Sequence, residues 1–321
     1  MILKKKIKTI IIGLGKVGLE YDYDKKNFFL THTKALFYHK NFDLLCGVDR
    51  SIKQLIKFKK KYNLPTTTSI DEALIKFRPE LVVISTSTYS HYKILKDVSN
   101  FSTIKIIMLE KPGARDFKEF KKIINLCKKN KIKLFINYFR LFNGYFEKIL
   151  NLIKQNKNFE IIIKYNRGLF NNVSHYLGFL SLFLTNLKNI KIINKNYNFI
   201  NDPQPDFVLS YNNAKVYFIK NNNPNLSLTD IEIIGDINKL NSTNDFNEFY
   251  LSKIKKDNFL NNYYNFFGKK KIYNKKINIS QYEVYEKIYK IIYEKKKLQK
   301  YYKLYTDIFK ILTNIKLKLH K

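Results

Sequence analysis

The stretch Ile7-Lys8-Thr9-Ile10-Ile11-Ile12-Gly13-Leu14-Gly15-Lys16-Val17-Gly18 decides how this chain is read. Its first six residues are a short Ile-rich apolar run, the pattern of a strand buried on both faces. The run stops at a G-x-G-x-x-G sequence. Such a sequence arises easily by chance, so its context matters. Here it follows a strand directly, alternating strand and helix signals follow it, and Asp49 ends the second strand. The glycines then have separate tasks. Gly13 permits a tight turn, Gly15 lets the backbone approach a diphosphate, and Gly18 allows a helix to pack closely on the strand. A helix beginning there would add N–H donors and a partial positive charge. Gly13, Leu14, Gly15, Lys16, Val17 and Gly18 are the expected cradle for a dinucleotide. Asp49 would accept hydrogen bonds from the adenosine ribose and repel the extra phosphate of NADP, which favours NAD. Arg50 beside it could pair with that phosphate, which keeps NADP open.

Asp49 lies 36 residues beyond Gly13, where the usual pattern has roughly 20. Residues 19–29 account for the excess and read as an insertion, with a helix resuming near His32. Strand signals follow at Leu44 to Val48, Leu81 to Ile84, Ile104 to Leu109 and Ile132 to Asn137. Helical spacing lies between them, at Ile52 to Tyr62 and in segments capped by Ser69, Ser90 and Asp116. Strands alternating with helices imply right-handed crossovers and a parallel sheet covered on both faces. The expectation is an α/β Rossmann-type doubly wound domain over residues 1–138.

Beyond it the strands alternate apolar and polar, at Phe159 to Tyr165, Phe207 to Tyr211, Lys215 to Ile219 and Ile231 to Ile234. A helix over Val173 to Phe183 lies among them. Turns are marked by Asn212-Asn213 and by Asn221 to Pro224. This pattern predicts an α+β domain with a largely antiparallel sheet over residues 139–321. The tail from Gln281 carries Val284, Ile288, Ile291 and Ile292 at helical spacing. It reads as a docked amphipathic helix pair rather than a membrane binder.

The 321 residues are 45% hydrophobic and 16% aromatic, which excludes a disordered chain. No run approaches the roughly 18–20 apolar residues of a membrane span. The net charge of +34 points toward polyanions. Yet only five basic residues are Arg, the residue favoured for bidentate base and phosphate recognition, and the others are Lys. Enrichment in Lys, Asn, Ile, Tyr and Phe fits AT-rich codon usage, so no specific nucleic-acid partner is expected. Cys46 and Cys127 are isolated, in neither a C-x-x-C pair nor a His cluster. They imply a reducing cytoplasm and no metal site. The basic start lacks the apolar region of a secretory signal.

These residues resemble the Gfo/Idh/MocA oxidoreductases, the glucose–fructose oxidoreductase and inositol dehydrogenase family. The likeness rests on Gly13 to Gly18, on His32-Thr33-Lys34-Ala35-Leu36, on Val48-Asp49 and on the segment from Val83 to His91. It rests most specifically on Glu110-Lys111-Pro112, and extends to Asn171-Asn172-Val173-Ser174-His175. It implies transfer of a hydride between a nicotinamide and a secondary alcohol or ketone of a sugar, nucleotide-sugar or cyclitol. Lys111 and His175 would be the catalytic pair, and Asn171 would join them in binding substrate. Thr86, Ser87, Thr88, His91 and Glu110 would contact the cofactor. Glu110 reads as a positioning residue. The family's open sheet makes a homo-oligomer an expectation.

The chemistry suits these residues. The cofactor takes the hydride, and a protein group must take the alcohol proton with a pKa near ambient pH. A Lys at a strand end in a water-poor cleft, near a positive nicotinamide, would have its pKa lowered by desolvation and like charge. A trans proline after it would fix the strand's end. The family's usual acid three residues after the helix His is here Gly178, and the acid four residues before it is Asn171. The alternative reading is therefore a catalytically weakened binding homologue.

Overall fold

The computed structural model describes residues 6–142, 144–195, 202–223, 230–243, 246, 248–274 and 278–320. The chain forms two compact units. One comprises Met1–Asn143 with Asn278–Phe309, the other Gly144–Ile277 with Lys310–Lys321.

In the first unit the strands are β1 (Ile7–Ile12), β2 (Phe42–Val48), β3 (Thr66–Thr67), β4 (Leu81–Ile84), β5 (Ile106–Leu109) and β6 (Lys133–Ile136). The helices between them are α1 (His32–Tyr38), α2 (Ile52–Tyr62), α3 (Ile70–Phe77), α4 (Thr88–Val98) and α5 (Phe117–Lys129). The strands form one sheet in the order β3-β2-β1-β4-β5-β6, and every pairing is parallel. This is the doubly wound order, with its direction change between β1 and β4. All residues of β4 and β5 are buried, as a sheet with two covered faces requires. The register aligns the last residues of five strands: Val48, Ile12, Ile84, Leu109 and Ile136. The next residue of each strand therefore stands in one row: Asp49, Gly13, Ser85, Glu110 and Asn137.

The capping signals act as expected at two helices. Ser69 Oγ accepts from the Glu72 N–H at 3.2 Å, and Asp116 Oδ1 from the Glu119 N–H at 2.7 Å. At α4 the expectation of a Ser90 cap is corrected. The helix starts at Thr88, and the Ser90 hydroxyl donates to the Ser87 carbonyl and to Thr86 Oγ1 instead of accepting an N–H. The insertion is built around buried Asp22, which accepts from the Leu30 and Thr31 N–H groups and from Thr31 Oγ1 at 2.6, 3.0 and 2.7 Å.

The last helices are α8 (Ser280–Ile291) and α9 (Lys295–Leu319), which follow α6 (Gly144–Ile153) and α7 (Ser174–Leu180) of the second unit. The sequence places the whole tail with the second domain, whereas Asn278–Phe309 packs in the first unit. Two sets of bonds hold it there. Phe29 N–H donates to the Asn278 carbonyl at 2.5 Å, and Gln281 N–H to the Phe29 carbonyl at 3.0 Å. On the far side, β6 is an edge strand whose outward N–H groups need acceptors. The Tyr302 hydroxyl accepts from Leu134 N–H at 2.9 Å and the Tyr305 hydroxyl from Ile136 N–H at 3.3 Å. Phe309 stacks on Phe120 of α5, with centroids 4.4 Å apart. A tail rich in Tyr can serve this edge because each phenol buries an apolar ring and still offers an oxygen.

The second unit holds α6 (Gly144–Ile153), β7 (Phe159–Tyr165), α7 (Ser174–Leu180), β8 (Leu187–Asn194), β9 (Asp206–Tyr211), β10 (Ala214–Lys220), β11 (Asp230–Gly235), β12 (Asn238–Thr243), β13 (Glu248–Lys256) and β14 (Tyr264–Asn274). Its sheet runs β14-β13-β12-β11-β7-β10-β9-β8. All pairings are antiparallel except β7 with β10. Alternate residues of β7 are buried, as the sequence pattern requires. The ring cluster of Phe146, Tyr176, Phe179, Phe246 and Phe249 forms its core. Pro224, the last residue of one predicted turn, lies outside the described residues.

Replacing Tyr302 by Phe leaves the buried Leu134 N–H without its acceptor, at a cost of about 1 kcal/mol or more. A lower urea midpoint and faster amide exchange at Leu134 are expected. An unchanged midpoint with full protection at Leu134 would remove the edge-capping role.

Candidate functional site

The row of residues beyond the strand ends is where an open α/β sheet binds its ligand. Gly13 ties three strands together. Its N–H donates to the Val48 carbonyl of β2 at 2.8 Å, and its carbonyl accepts from Ser85 Oγ, just past β4, at 2.6 Å. Its φ is +97°, and a Cβ there would lie 2.7 Å from the Ser85 carbonyl carbon. A Cβ on Gly18 would lie 2.2 Å from the Gly13 carbonyl oxygen, whereas one on Gly15 would meet nothing within 4 Å. Two glycines are thus required by packing, and the third leaves open space for a ligand.

That space belongs to a cleft of about 820 Å³, lined among others by Gly13, Gly15, Asp49, Arg50, Thr86 and Ser87. Asp49 Oδ2 accepts from the Leu14 N–H at 2.6 Å and Oδ1 from the Ser51 N–H at 2.8 Å. Each oxygen keeps acceptor capacity for a hydroxyl. Cleft, open glycine and anchored carboxylate fit a dinucleotide. The expected helix is shorter than the pattern implies. Lys16–Glu20 is one π-helical turn, in which Leu19 and Glu20 N–H both return to the Gly15 carbonyl, and the insertion ends it. Backbone donors of a single turn, rather than the dipole of a full helix, are what this segment offers.

Thr86, Ser87 and Thr88 lie in the turn that opens α4, and Thr86 and Ser87 line the cleft. His91 is fully buried. Its Nδ1 lies 3.3 Å from the Gly113 carbonyl and its Nε2 3.1 Å from the Thr86 carbonyl. Burial pushes its pKa below the usual histidine value, against the pull of the two carbonyls. The ring joins the turn after β4 to the turn after Lys111.

Glu110 is buried, and Lys111 after it is half-buried. The Lys111–Pro112 peptide is cis, where the sequence reading has trans. Glu110 Oε1 accepts from His32 Nε2 at 2.8 Å and from Asn137 Nδ2. His32 Nδ1 lies 2.6 Å from the Tyr285 hydroxyl and 3.1 Å from Gln281 Nε2. Burial raises the Glu110 carboxyl; the bond from His32 and its charge when protonated, the bond from Asn137 and the charge of Lys111 outweigh it and hold it below the ordinary value. Sequence reasoning missed Asn137, Gln281 and Tyr285. Asn137 carried a signal, since it ends a predicted strand beside Glu110. The two α8 residues carried none.

In the second unit a π-helical turn, Leu169–Val173, leads into α7. Asn171 on it is exposed, and His175 on α7 is half-buried. Asp202, also missed, accepts from the Phe170 and Asn171 N–H groups at 2.8 and 3.0 Å. A carboxylate therefore sits at the backbone of Asn171, although that side chain is not itself acidic. Gly178 is buried in α7. Among the described residues no helix is long and apolar enough to cross a membrane. Cys46 and Cys127 are free and buried, and burial pushes each thiol up to about 12.

Residues 7–138 match the Gfo/Idh/MocA family, described as an oxidoreductase family with an NAD-binding Rossmann fold. No curated protein matches the chain. Several solved structures share its fold. A Gfo/Idh/MocA family oxidoreductase from Vibrio cholerae is 15% identical with a TM-score of 0.72, covering 98% of this chain and 100% of that one. The UDP-N-acetylglucosamine 3-dehydrogenase GnnA from Acidithiobacillus ferrooxidans is 12% identical with a TM-score of 0.68, covering 90% of each chain. The WlbA dehydrogenase from Bordetella pertussis, in complex with NADH and UDP-GlcNAcA, is 16% identical with a TM-score of 0.61, covering 75% of this chain and 80% of that one.

Two measurements check the site. Gly15→Ala should leave the unfolding free energy within about 0.5 kcal/mol of wild type while weakening NADH binding at least about tenfold, as a Cβ enters the space open to a ligand. Gly18→Ala should lose about 2 kcal/mol or more of stability. Equal effects of the two on stability would contradict the division of roles. Because Glu110 titrates below the ordinary 4.5, its ionised form stabilises the fold above that value. This contribution is lost as pH falls through the lowered value. The stability gap between wild type and Glu110→Gln should therefore shrink as pH drops below 4.5. A constant gap in urea titrations across that range would refute it.

Proposed function

We propose that this chain, whose residues 7–138 match the Gfo/Idh/MocA oxidoreductase family, interconverts a secondary alcohol and a ketone on a sugar, nucleotide-sugar or cyclitol with NAD(H). The observation that carries the reading is the place of Lys111, half-buried beyond the end of β5 and next to a buried carboxylate in the row that begins at the glycine turn. When bound, the nicotinamide accepts or returns the hydride. Gly15 and the turn after it hold the diphosphate, Asp49 the adenosine ribose, and Thr86 and Ser87 the neighbouring cleft wall. His91 keeps the two turns on either side in place. The Lys111 amine takes the alcohol proton on oxidation and returns it on reduction. His175, with Asn171, serves as the acid/base and binding group of the second unit. Asp49 favours NAD over NADP, since a carboxylate there repels a 2′-phosphate. The nucleotide-sugar chemistry named for two solved relatives supports the substrate class. Two buried free thiols support a reducing, cytoplasmic setting.

A second reading is favoured by Gly178, which stands where the family has an acid. In it the chain binds the dinucleotide and a sugar-like ligand with little turnover. NADH fluorescence and absorbance, with a panel of ketosugars and oxidised UDP-sugars, separate the two. The first reading expects NADH consumption. It also expects Lys111→Ala to lower the rate by about 10²-fold or more with NADH affinity within a few-fold of wild type. Binding of NADH with no consumption across the panel selects the second, and no binding at all removes both.

A further inference from the structure

The bonds around Glu110 close into a ring, and the direction of every bond in it can be deduced. Glu110 and Asn137 are neighbours in the row of strand ends. His32 comes from the first residue of α1, and Gln281 and Tyr285 from α8. An ionised carboxylate only accepts, so Asn137 must present its NH₂ to Glu110. The same Asn137 nitrogen lies 3.0 Å from Gln281 Oε1, which is therefore the Gln281 acceptor. Gln281 must then turn its NH₂ toward His32 Nδ1, 3.1 Å away. The Tyr285 hydroxyl, which can donate or accept, lies 2.6 Å from the same nitrogen and in this arrangement donates to it. His32 Nδ1 is thus an acceptor, and the ring carries its proton on Nε2, which donates to Glu110 at 2.8 Å. The two donors converging on Glu110 Oε1 sit 3.5 Å apart. Flipping Gln281 would set its NH₂ against that of Asn137, and flipping both would set an oxygen against the carboxylate. One arrangement makes every contact of the ring a donor–acceptor pair, while Asn137 Oδ1 stays buried without a partner among the described residues.

We propose that His32 is a positioning residue, locked as the neutral Nε2–H tautomer by Gln281 and Tyr285 of α8, and that through it the C-terminal helix fixes Glu110 as an anion beside Lys111 and so sets the protonation of that amine. This rests on the reading of Lys111 as the proton-exchanging group. The titratable groups facing His32 are Glu110 beyond β5 and Tyr285 on α8; those acting on Glu110 are His32, Lys111, Tyr285 on α8 and His91 on α4. Asn137 and Gln281 complete the shell and do not titrate. Burial keeps the Tyr285 phenol far above its usual range, so it remains a donor at neutral pH. His32 touches neither cleft nor substrate in this scheme and acts only through Glu110.

The test uses the full-length protein with neither cofactor nor substrate, so its outcome is separate from that of the turnover assay. Long-range ¹H–¹⁵N correlation on histidine-labelled protein at pH 7 should show a neutral Nε2–H ring that disappears in His32→Gln. An imidazolium or an Nδ1–H ring at His32 overturns the proposal. Competitive acetylation with acetic anhydride, read by peptide mass spectrometry across pH, gives the titration midpoint of Lys111. Glu110→Gln should lower it by about one pH unit or more, since a neighbouring opposite charge is lost. His32→Phe should lower it in the same direction, and His32→Gln, whose amide still donates to Glu110, should restore it. A midpoint unmoved in Glu110→Gln overturns the proposal. Should His32→Phe fail to fold, the wild-type spectrum and the Glu110→Gln midpoint decide.

Discussion

The Gly13 peptide is the joint on which the first unit depends. Its N–H is spent on β2, its carbonyl is held by Ser85 beyond β4, and Gly18 packs against the same carbonyl with no room for one more carbon. Three segments far apart in sequence are thereby fixed at a single peptide. The direction change of the sheet falls at this point, between β1 and β4. A crevice at such a place is a consequence of topology, because the connections on its two sides run away in opposite directions. Chemistry has only to furnish it with donors and acceptors.

The row of strand ends shows how the furnishing is done. Parallel pairing in register makes the residue after each strand a neighbour of the residue after the next. Residues more than twenty positions apart, such as Glu110 and Asn137, become bonded neighbours without a dedicated loop. A buried carboxylate costs several kcal/mol unless its lone pairs are met. The ring of His32, Asn137 and Gln281 meets that cost with neutral donors, leaving the negative charge to act on Lys111. The insertion and α8 are the means of delivery. The insertion docks on the start of α8 through Phe29 and is followed at once by Thr31, the cap of α1, and then by His32.

The sequence reading reached the first unit well because its signals are local. Ile7 to Ile12, Ile52 to Tyr62 and Leu81 to Ile84 appear with the predicted bounds, and the glycine spacing located the crevice. Ser90 misled because a hydroxyl near a helix start can donate within the turn as readily as cap it. The strands β8, β12, β13 and β14 were missed for another reason. β8, β13 and β14 carry Lys and Asn on largely exposed positions, and β12 buries the polar Asn238 and Ser242 beside Leu240, so none of them shows an apolar alternation in sequence. Gln281 and Tyr285 were invisible as site residues because nothing short of the folded chain places α8 beside β5. Periodicity says that a helix has an apolar face and is silent on what that face will meet.

The cover of β6 has a consequence for the chain as it is made. Leu134 and the Tyr302 hydroxyl that satisfies it are separated by 168 residues. At ribosomal speed the interval between their synthesis is roughly 8–34 s. Throughout that interval the nascent sheet can be complete in its strands yet bare along one side, a template for any extended segment nearby, including those of the emerging antiparallel sheet. The tyrosines close that border last, and a chain cut before Tyr302 would lack the acceptors of the Leu134 and Ile136 N–H groups.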